Sequence, residues 1–221
     1  MNFDWEARLI YKVRSGSHLY GTNHEGSDED FRGIIIPPAS YFLGLDTFEQ
    51  YEGEPDEDIC YYDIRKFIRL ALAGNPNVIE ILWSEEPQDN KWGNGLRGLR
   101  GLFTTKALVK PHIGMAVGNM KRFKQTGKFK LAAHAIRVLE QGRDLLLHGY
   151  CDFPRANAVF LREVIRGEWT QDSLCRKIED RIEALRQVEA ESNMADQPDR
   201  KMIGGLIQEL IINYLKAQGE L

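Results

Sequence analysis

Apolar positions change their rhythm about a hundred residues into the chain: short β-rich stretches come first, and long helical stripes follow. Leu9 to Val13, Phe31 to Ile36 and Asp58 to Tyr62 are rich in β-branched and aromatic side chains. Clusters of Gly, Pro, Asn and Asp bound them, so each reads as a strand. From Ile64 the spacing becomes helical: Ile64, Phe67, Ile68, Ala71 and Leu72 recur at i, i+3 and i+4, behind Asp63 as N-cap and ahead of Gly74 as a stop. Asn75-Pro76 opens a second helix, with a cap followed by proline at the first helical position, where its missing N–H has no intrahelical partner to lose.

Residues Asp89 to Gly101 carry four glycines among polar side chains and read as an irregular loop or hinge. Beyond them, Leu108, Val109, His112, Ile113, Ala116, Val117, Met120 and Phe123 line one helical face, with Pro111 expected to kink or reset that helix. Further helices are expected from about Phe129 to Leu147 and from about Asp172 to Ala190, and a short hairpin around Ala158 to Ile165. The stripe from Met202 to Leu215, behind Asp199 as cap, keeps helical phase throughout and serves as core or partner surface. The pattern thus predicts an α+β protein, a mixed sheet with flanking helices at residues 1–100 and a mostly helical part at 101–221.

Composition narrows the class without naming a function. The 221 residues are 43% hydrophobic and 28% charged, an ordinary globular mixture. No apolar run reaches the roughly 18 residues of a bilayer-spanning helix, and the first residues lack a signal-peptide layout, so a cytoplasmic protein without membrane association is expected. Cys60, Cys151 and Cys175 are odd in number and far apart, which suits buried small side chains and not a disulfide framework or a zinc site. A net charge of −4 argues against a surface that grips long nucleic acid on every side, yet allows a local anionic substrate.

The candidate chemistry lies between Arg14 and Gly33. A small-residue turn, Gly16-Ser17, is followed by Asp28 and Asp30, which share one face if the segment is a strand. Two such carboxylates repel unless a cation sits between them, and oxygen-only ligands suit Mg²⁺ or Mn²⁺ together with substrate phosphates. Gly16 and Ser17 can bring backbone N–H groups and a hydroxyl close to a phosphate. Arg32 falls on the same face, where it either meets a phosphate or neutralises the acids. On the helix near residue 130, His134 and Arg137 share a side with Lys130, and Lys128 precedes them.

The string Gly-Ser-His-Leu-Tyr-Gly-Thr-(x)₄-Ser-Asp-x-Asp-x-Arg-Gly resembles the signature of the DNA polymerase beta superfamily of nucleotidyltransferases. With Gly74-Asn75-Pro76-Asn77-Val78-Ile79-Glu80 downstream and Lys128-Phe129-Lys130 to Arg137 beyond it, the chain resembles the RNA-repair-pathway type found in bacteria and phages, over roughly residues 10 to 170. The resemblance implies a nucleotidyltransferase fold and a transfer of nucleoside monophosphate from an NTP to a hydroxyl, with pyrophosphate leaving. It implies that Asp28, Asp30 and a third carboxylate hold Mg²⁺ or Mn²⁺, and that Gly16 and Ser17 hold phosphates. Asp56, Glu57, Asp58 and Asp63 all offer that third acid; Asp58 is preferred because it opens a strand, whereas Asp63 caps a helix. Lys128, His134 and Arg137 would face the nucleotide across a cleft.

The acceptor hydroxyl would belong to an RNA end, a protein or a small molecule. The rival reading is a nucleotide-binding or sensing module with little chemistry. A two-metal site asks three carboxylates to converge within about 4 to 5 Å, and a dispersed third acid would favour the rival. His18 or Tyr20 is placed to touch the substrate, His24 reads as loop, and Asn75-Pro76 and Glu80 read as packing or capping. The run from Phe160 to Glu168 reads as an amphipathic segment with solvated charges.

Overall fold

The computed structural model describes residues 3–54, 57–84 and 88–221. Five strands, β1 (Leu9–Arg14), β2 (Phe31–Ile35), β3 (Gln50–Glu52), β4 (Ile59–Asp63) and β5 (Gln88–Asp89), form one sheet in the order β3-β4-β2-β1-β5. Among the described residues only the β2–β4 pair is parallel, and the remaining neighbours are antiparallel, so the sheet is mixed and the fold is α+β as expected. Among the described residues ten α-helices accompany it: α1 (Gly16–Tyr20), α2 (Ser40–Leu43), α3 (Ile64–Leu72), α4 (Pro76–Trp83), α5 (Lys91–Gly98), α6 (Val109–Thr126), α7 (Phe129–His148), α8 (Ala158–Ile165), α9 (Gln171–Glu191) and α10 (Arg200–Ala217). No helix among the described residues is long and apolar enough to cross a membrane.

Local signals set most element ends. Asp63 accepts hydrogen bonds from the amides of Arg65 and Lys66 and so starts α3; Asn75 accepts from Asn77 ahead of Pro76 and starts α4; Asp199 accepts from Met202 and starts α10. Of the two outcomes expected at Pro111 the structure shows no kink: α6 begins at Val109, so the proline falls in its first turn, where the absent N–H costs no hydrogen bond. Two expectations are corrected. The glycine-rich stretch after Asp89 is not a loop: Asn90 caps α5 through the amides of Trp92 and Gly93. A Cβ on Gly93 would lie 2.2 Å from the Ile10 carbonyl oxygen, so this glycine lets α5 press onto β1. The segment Ala158 to Ile165 is helix, not hairpin. Its β-branched composition is overridden because Leu161 and Val164, three residues apart, both become buried in helical phase.

One hydrophobic cluster runs from Ile10 and Val13 of the sheet through Phe67 and Ile79 to Ile136, Ile178 and Leu215 of the later helices. The stripe of α10 is narrower than its periodicity suggests, since Ile203, Ile207, Tyr214 and Leu215 are buried while Met202 and Leu206 are exposed. A smaller cluster of Ile35, Phe48 and Tyr61 covers the other side of the sheet. Cys151 and Cys175 are buried and Cys60 is half-buried, all three as free thiols.

Candidate active site

The site forms where three chain segments meet at one end of the sheet. β1 runs out at Arg14, paired with Phe31 of β2, and the chain turns into α1. The Ser15 amide still donates to the Asp30 carbonyl at 2.8 Å, but there is no further ladder to extend β2 backwards. Asp28 and Asp30 therefore precede β2 and do not lie within it, which corrects the strand expected there. The third acid arrives from the parallel neighbour. Phe31 pairs with Ile59 in register, so Asp30 and Asp58, each one residue before its strand, come side by side.

These carboxyls lie within hydrogen-bonding reach of each other. Burial, the Asp58 contact and the Asp58 charge push the Asp30 carboxyl up to about 6. Burial also acts to raise Asp58, but hydrogen bonds from Asp30 and Arg32 and the Arg32 charge outweigh it and hold its pKa low. Arg32 donates to the Asp58 carboxylate at 2.8 Å and to the Asp58 carbonyl at 2.9 Å, so of its two expected roles the structure displays the second, with the guanidinium bound to the acid. Gly16 has φ +60°, and a Cβ there would lie 1.5 Å from Asp30 Oδ2. The glycine thus allows the Asp30 carboxylate to rest directly against the turn that opens α1.

A cleft of about 530 Å³ opens over this group. Its sheet side carries Gly16, Ser17, Asp28, Asp30, Arg32 and Asp58, and its far side is built by Lys130, His134 and Arg137 of α7 with Leu161 and Ile165 of α8. The structure thus brings together eight of the nine anticipated residues. Lys128 is not among them; it is the exposed N-cap residue of α7. Helical phase explains the exchange: Lys130, His134 and Arg137 stand at i, i+4 and i+7 on one side of α7, and Lys128 does not. Of the other candidates, Asp63 is spent on capping α3, Glu57 does not line the cleft, and Asp56 lies outside the described residues.

The floor of the cleft is a buried polar network. Arg137 is 2% exposed and Glu80 3%, and Arg137 Nη1 donates to Glu80 Oε2 at 2.5 Å and to Gln141 Oε1 at 3.0 Å. The Tyr20 hydroxyl donates to the other Glu80 oxygen at 2.6 Å, and the guanidinium lies 3.8 Å above the Tyr20 ring. Gln141 Nε2 closes the circuit on the Pro76 carbonyl at 2.9 Å. His134 stands 3.3 Å from Arg137 Nη2, and burial, then the charges of Arg137 and Lys130, push its pKa down to about 3. The imidazole is therefore neutral at pH 7, with Nδ1 accepting from the guanidinium. Glu80 carries structural weight that its sequence only hints at: it is the lone charge in the apolar run Val78-Ile79-Glu80-Ile81-Leu82. Tyr20 is a partner of Glu80 as well as a cleft-lining ring.

Among the described residues no group of three or more His, Cys, Asp or Glu side chains is gathered closely enough to hold a metal ion. Asp28 lines the same cleft but is exposed and stands apart from the Asp30–Asp58 pair. Two carboxylates suffice for a Mg²⁺ that keeps its waters and takes substrate phosphates. The raised Asp30 carboxyl fits such a cation, because a pair of acids that favours a shared proton lacks positive charge.

The chain is 30% identical over 130 residues to the uncharacterized protein YcgL of Bacillus subtilis (strain 168), covering 56% of this chain and 50% of that protein. It is 31% identical over 85 residues to an uncharacterized 38.9 kDa protein encoded in the nrdC-mobD intergenic region of Enterobacteria phage T4, covering 34% of this chain and 25% of that one. The chain thus spans half or less of the length of these curated relatives. No solved structure matches it significantly. A family model described as RNA repair pathway DNA polymerase beta family matches residues 2–220 and so takes in the Gly-Ser turn, the paired acids and the α7 wall alike. With its motifs gathered around one cleft and the match running nearly end to end, the chain belongs to the RNA repair pathway DNA polymerase beta family, RlaP.

Proposed function

We propose that the protein is a divalent-metal-dependent nucleotidyltransferase that moves a nucleoside monophosphate from an NTP to a hydroxyl and releases pyrophosphate. The observation that carries this reading is the Asp30–Asp58 pair, held against the Gly16 turn by the in-register parallel strands. Asp30 and Asp58 would hold Mg²⁺ or Mn²⁺, with Asp28 in reach of the same cleft. Bound there, the cation would supply charge to the phosphate oxygens and to the acceptor oxygen of an in-line displacement.

Phosphoryl transfer asks mainly for positioning and charge, and the protein's own groups are arranged for both. Gly16 makes room for the Asp30 carboxylate against the turn, and the Ser17 side chain lines the cleft in which the outer phosphates would lie. Arg32 keeps Asp58 ionised and oriented. Lys130 reaches the cleft as a free cation suited to phosphate. Neutral His134 donates its Nε2 hydrogen to Met115 Sδ at 3.4 Å, and Arg137, locked to Glu80, holds the ring from the other side, so the imidazole is an uncharged, fixed part of the cleft wall. The Leu161 and Ile165 side chains give one wall an apolar surface against which a base can lie.

A binding or sensing module is the second reading, favoured by the exposed position of Asp28 away from the acidic pair. Incubation with each labelled NTP, Mg²⁺ or Mn²⁺, and RNA, protein and small-molecule acceptors separates the two. Transfer of label that Asp30→Asn abolishes is expected. Nucleotide binding without transfer in any combination, with Asp30→Asn binding as the parent does, would sink the transferase and leave the module.

A further inference from the structure

The charge of this chain is strongly partitioned. The fifty residues from Asn90 to Leu139 contain eleven lysines and arginines and no aspartate or glutamate, so a protein of net charge −4 carries +11 in that segment and −15 in the rest. Part of this positive charge is used internally. Arg137 is paired with Glu80, Lys106 with Asp196, Arg97 donates to the Ser84 carbonyl and Arg100 lies over Trp83. Lys91 lies over Trp92 and Lys110 is exposed near the start of α6; the other five are concentrated at one place. Lys121, Arg122 and Lys124 end α6, Gly127 and Lys128 form the two-residue turn, and Lys130 lies in the first turn of α7; all five cations are exposed. Among the described residues only Lys124 has an acidic partner, Glu179 at 3.8 Å.

Helix electrostatics do not account for this cluster. Cations at the end of α6 complement its macrodipole, but Lys128 and Lys130 sit at the start of α7, where the helix end is already positive. The strip is also directed, since Lys130 is both its last member and a wall of the cleft. The acidic remainder of the chain repels a polyanion from the other faces and focuses it here.

We propose that the α6–α7 turn is a docking strip for the phosphodiester backbone of a single-stranded nucleic acid, and that it leads the strand's end past Lys130 to the cleft. The strip's role in feeding an acceptor hydroxyl rests on the transferase reading, whereas the binding itself does not. Regularly spaced phosphates match a group of long lysine and arginine side chains that need no shaped pocket, and such contacts are sequence-tolerant and sensitive to salt.

The test is fluorescence anisotropy with end-labelled single-stranded RNA and DNA of one sequence over a salt series, on the parent and on the double variant Lys121→Ala/Arg122→Ala. Both positions are exposed and outside the cleft, and matching thermal melting curves establish that the fold is kept. The expected result is binding by the parent, an affinity loss of about tenfold in the variant, and a salt slope lower by about 1.4, at about 0.7 for each lost contact with a single strand. Tighter binding of RNA than DNA, or the reverse, identifies which strand is used, and both support the strip. Equal binding by parent and variant overturns it, as does no binding of either strand, or poly-glutamate binding more tightly than both. Binding of a nonhydrolysable NTP is read on the same samples. If nucleotide binds and the RNA signal is unchanged in the variant, the strip fails and the cleft reading stands; if no nucleotide binds but the variant loses RNA, the cleft reading fails and the strip stands.

Discussion

Replacing Arg137 by methionine isolates what the buried network contributes. The guanidinium makes its ion pair with Glu80 at 2.5 Å, a hydrogen bond to Gln141 at 3.0 Å and a stack on Tyr20 at 3.8 Å. Without it, Glu80 stays 97% buried with the Tyr20 hydroxyl as its remaining polar partner. Losing one member of such a buried pair costs about 3–5 kcal/mol, mostly because a desolvated charge is stranded. Removing the second charge relieves that penalty, so Arg137→Met with Glu80→Gln should be more stable than Arg137→Met alone by about 1–3 kcal/mol. Gln in place of Glu80 keeps an acceptor for Tyr20, which limits the cycle to charge. Urea unfolding of the parent, both single variants and the double variant measures the coupling from the midpoints and slopes. Nucleotide binding by the same proteins should weaken together with stability, because Arg137 ties α7, with Lys130 and His134, to α4. A loss below about 1 kcal/mol for Arg137→Met, or strict additivity in the cycle, would refute the claim that this pair is desolvated and coupled.

Two further outcomes follow from the same geometry. Gly16→Ala should leave the helical core intact but displace Asp30, whose Oδ2 lies 1.5 Å from the new Cβ position; Mn²⁺ binding followed by electron paramagnetic resonance should fall at least as far as in Asp30→Asn, and unchanged Mn²⁺ affinity would remove the glycine from the site. Acid should destabilise the fold through its buried histidines: His112 is pushed down to about 4 by burial and His134 to about 3, both from an unfolded value near 6.5. The unfolded chain then binds protons that the folded one refuses, so stability is full above about pH 6.5 and falls as pH drops toward 4, and unfolding midpoints that stay level across that range would contradict it.

Each stretch of chain lent itself to reading from sequence only as far as its structure is set locally. Asp63, Asn75 and Asp199 announce their helices because a cap acts on amides two or three residues away. Helices α6, α7, α9 and α10 follow their apolar periodicity, which is likewise a local pattern, and the Gly-Ser turn and Asp-x-Asp are contiguous motifs. Where burial against a distant element decides, composition misleads. Ala158 to Ile165 looks like strand until Leu161 and Val164 find the core, and the glycines after Asp89 look like loop until Gly93 meets the Ile10 carbonyl.

The amino-acid sequence by itself determined the longer helices and the caps at Asp63, Asn75 and Asp199, the order of the motifs and the presence of two acids beside a small-residue turn. Only the tertiary structure decided how those pieces combine. The choice of Asp58 as neighbour of Asp30 depends on the parallel register of β2 and β4, which is a hydrogen-bonding pattern between segments and not a property of either. That Asp28 and Asp30 precede β2 and do not lie within it comes from the point at which β1 leaves the sheet. The joining of Glu80 to Arg137 across 57 residues depends on the packing of α4 against α7, where a charge can be buried only because its counter-charge is delivered to the same spot.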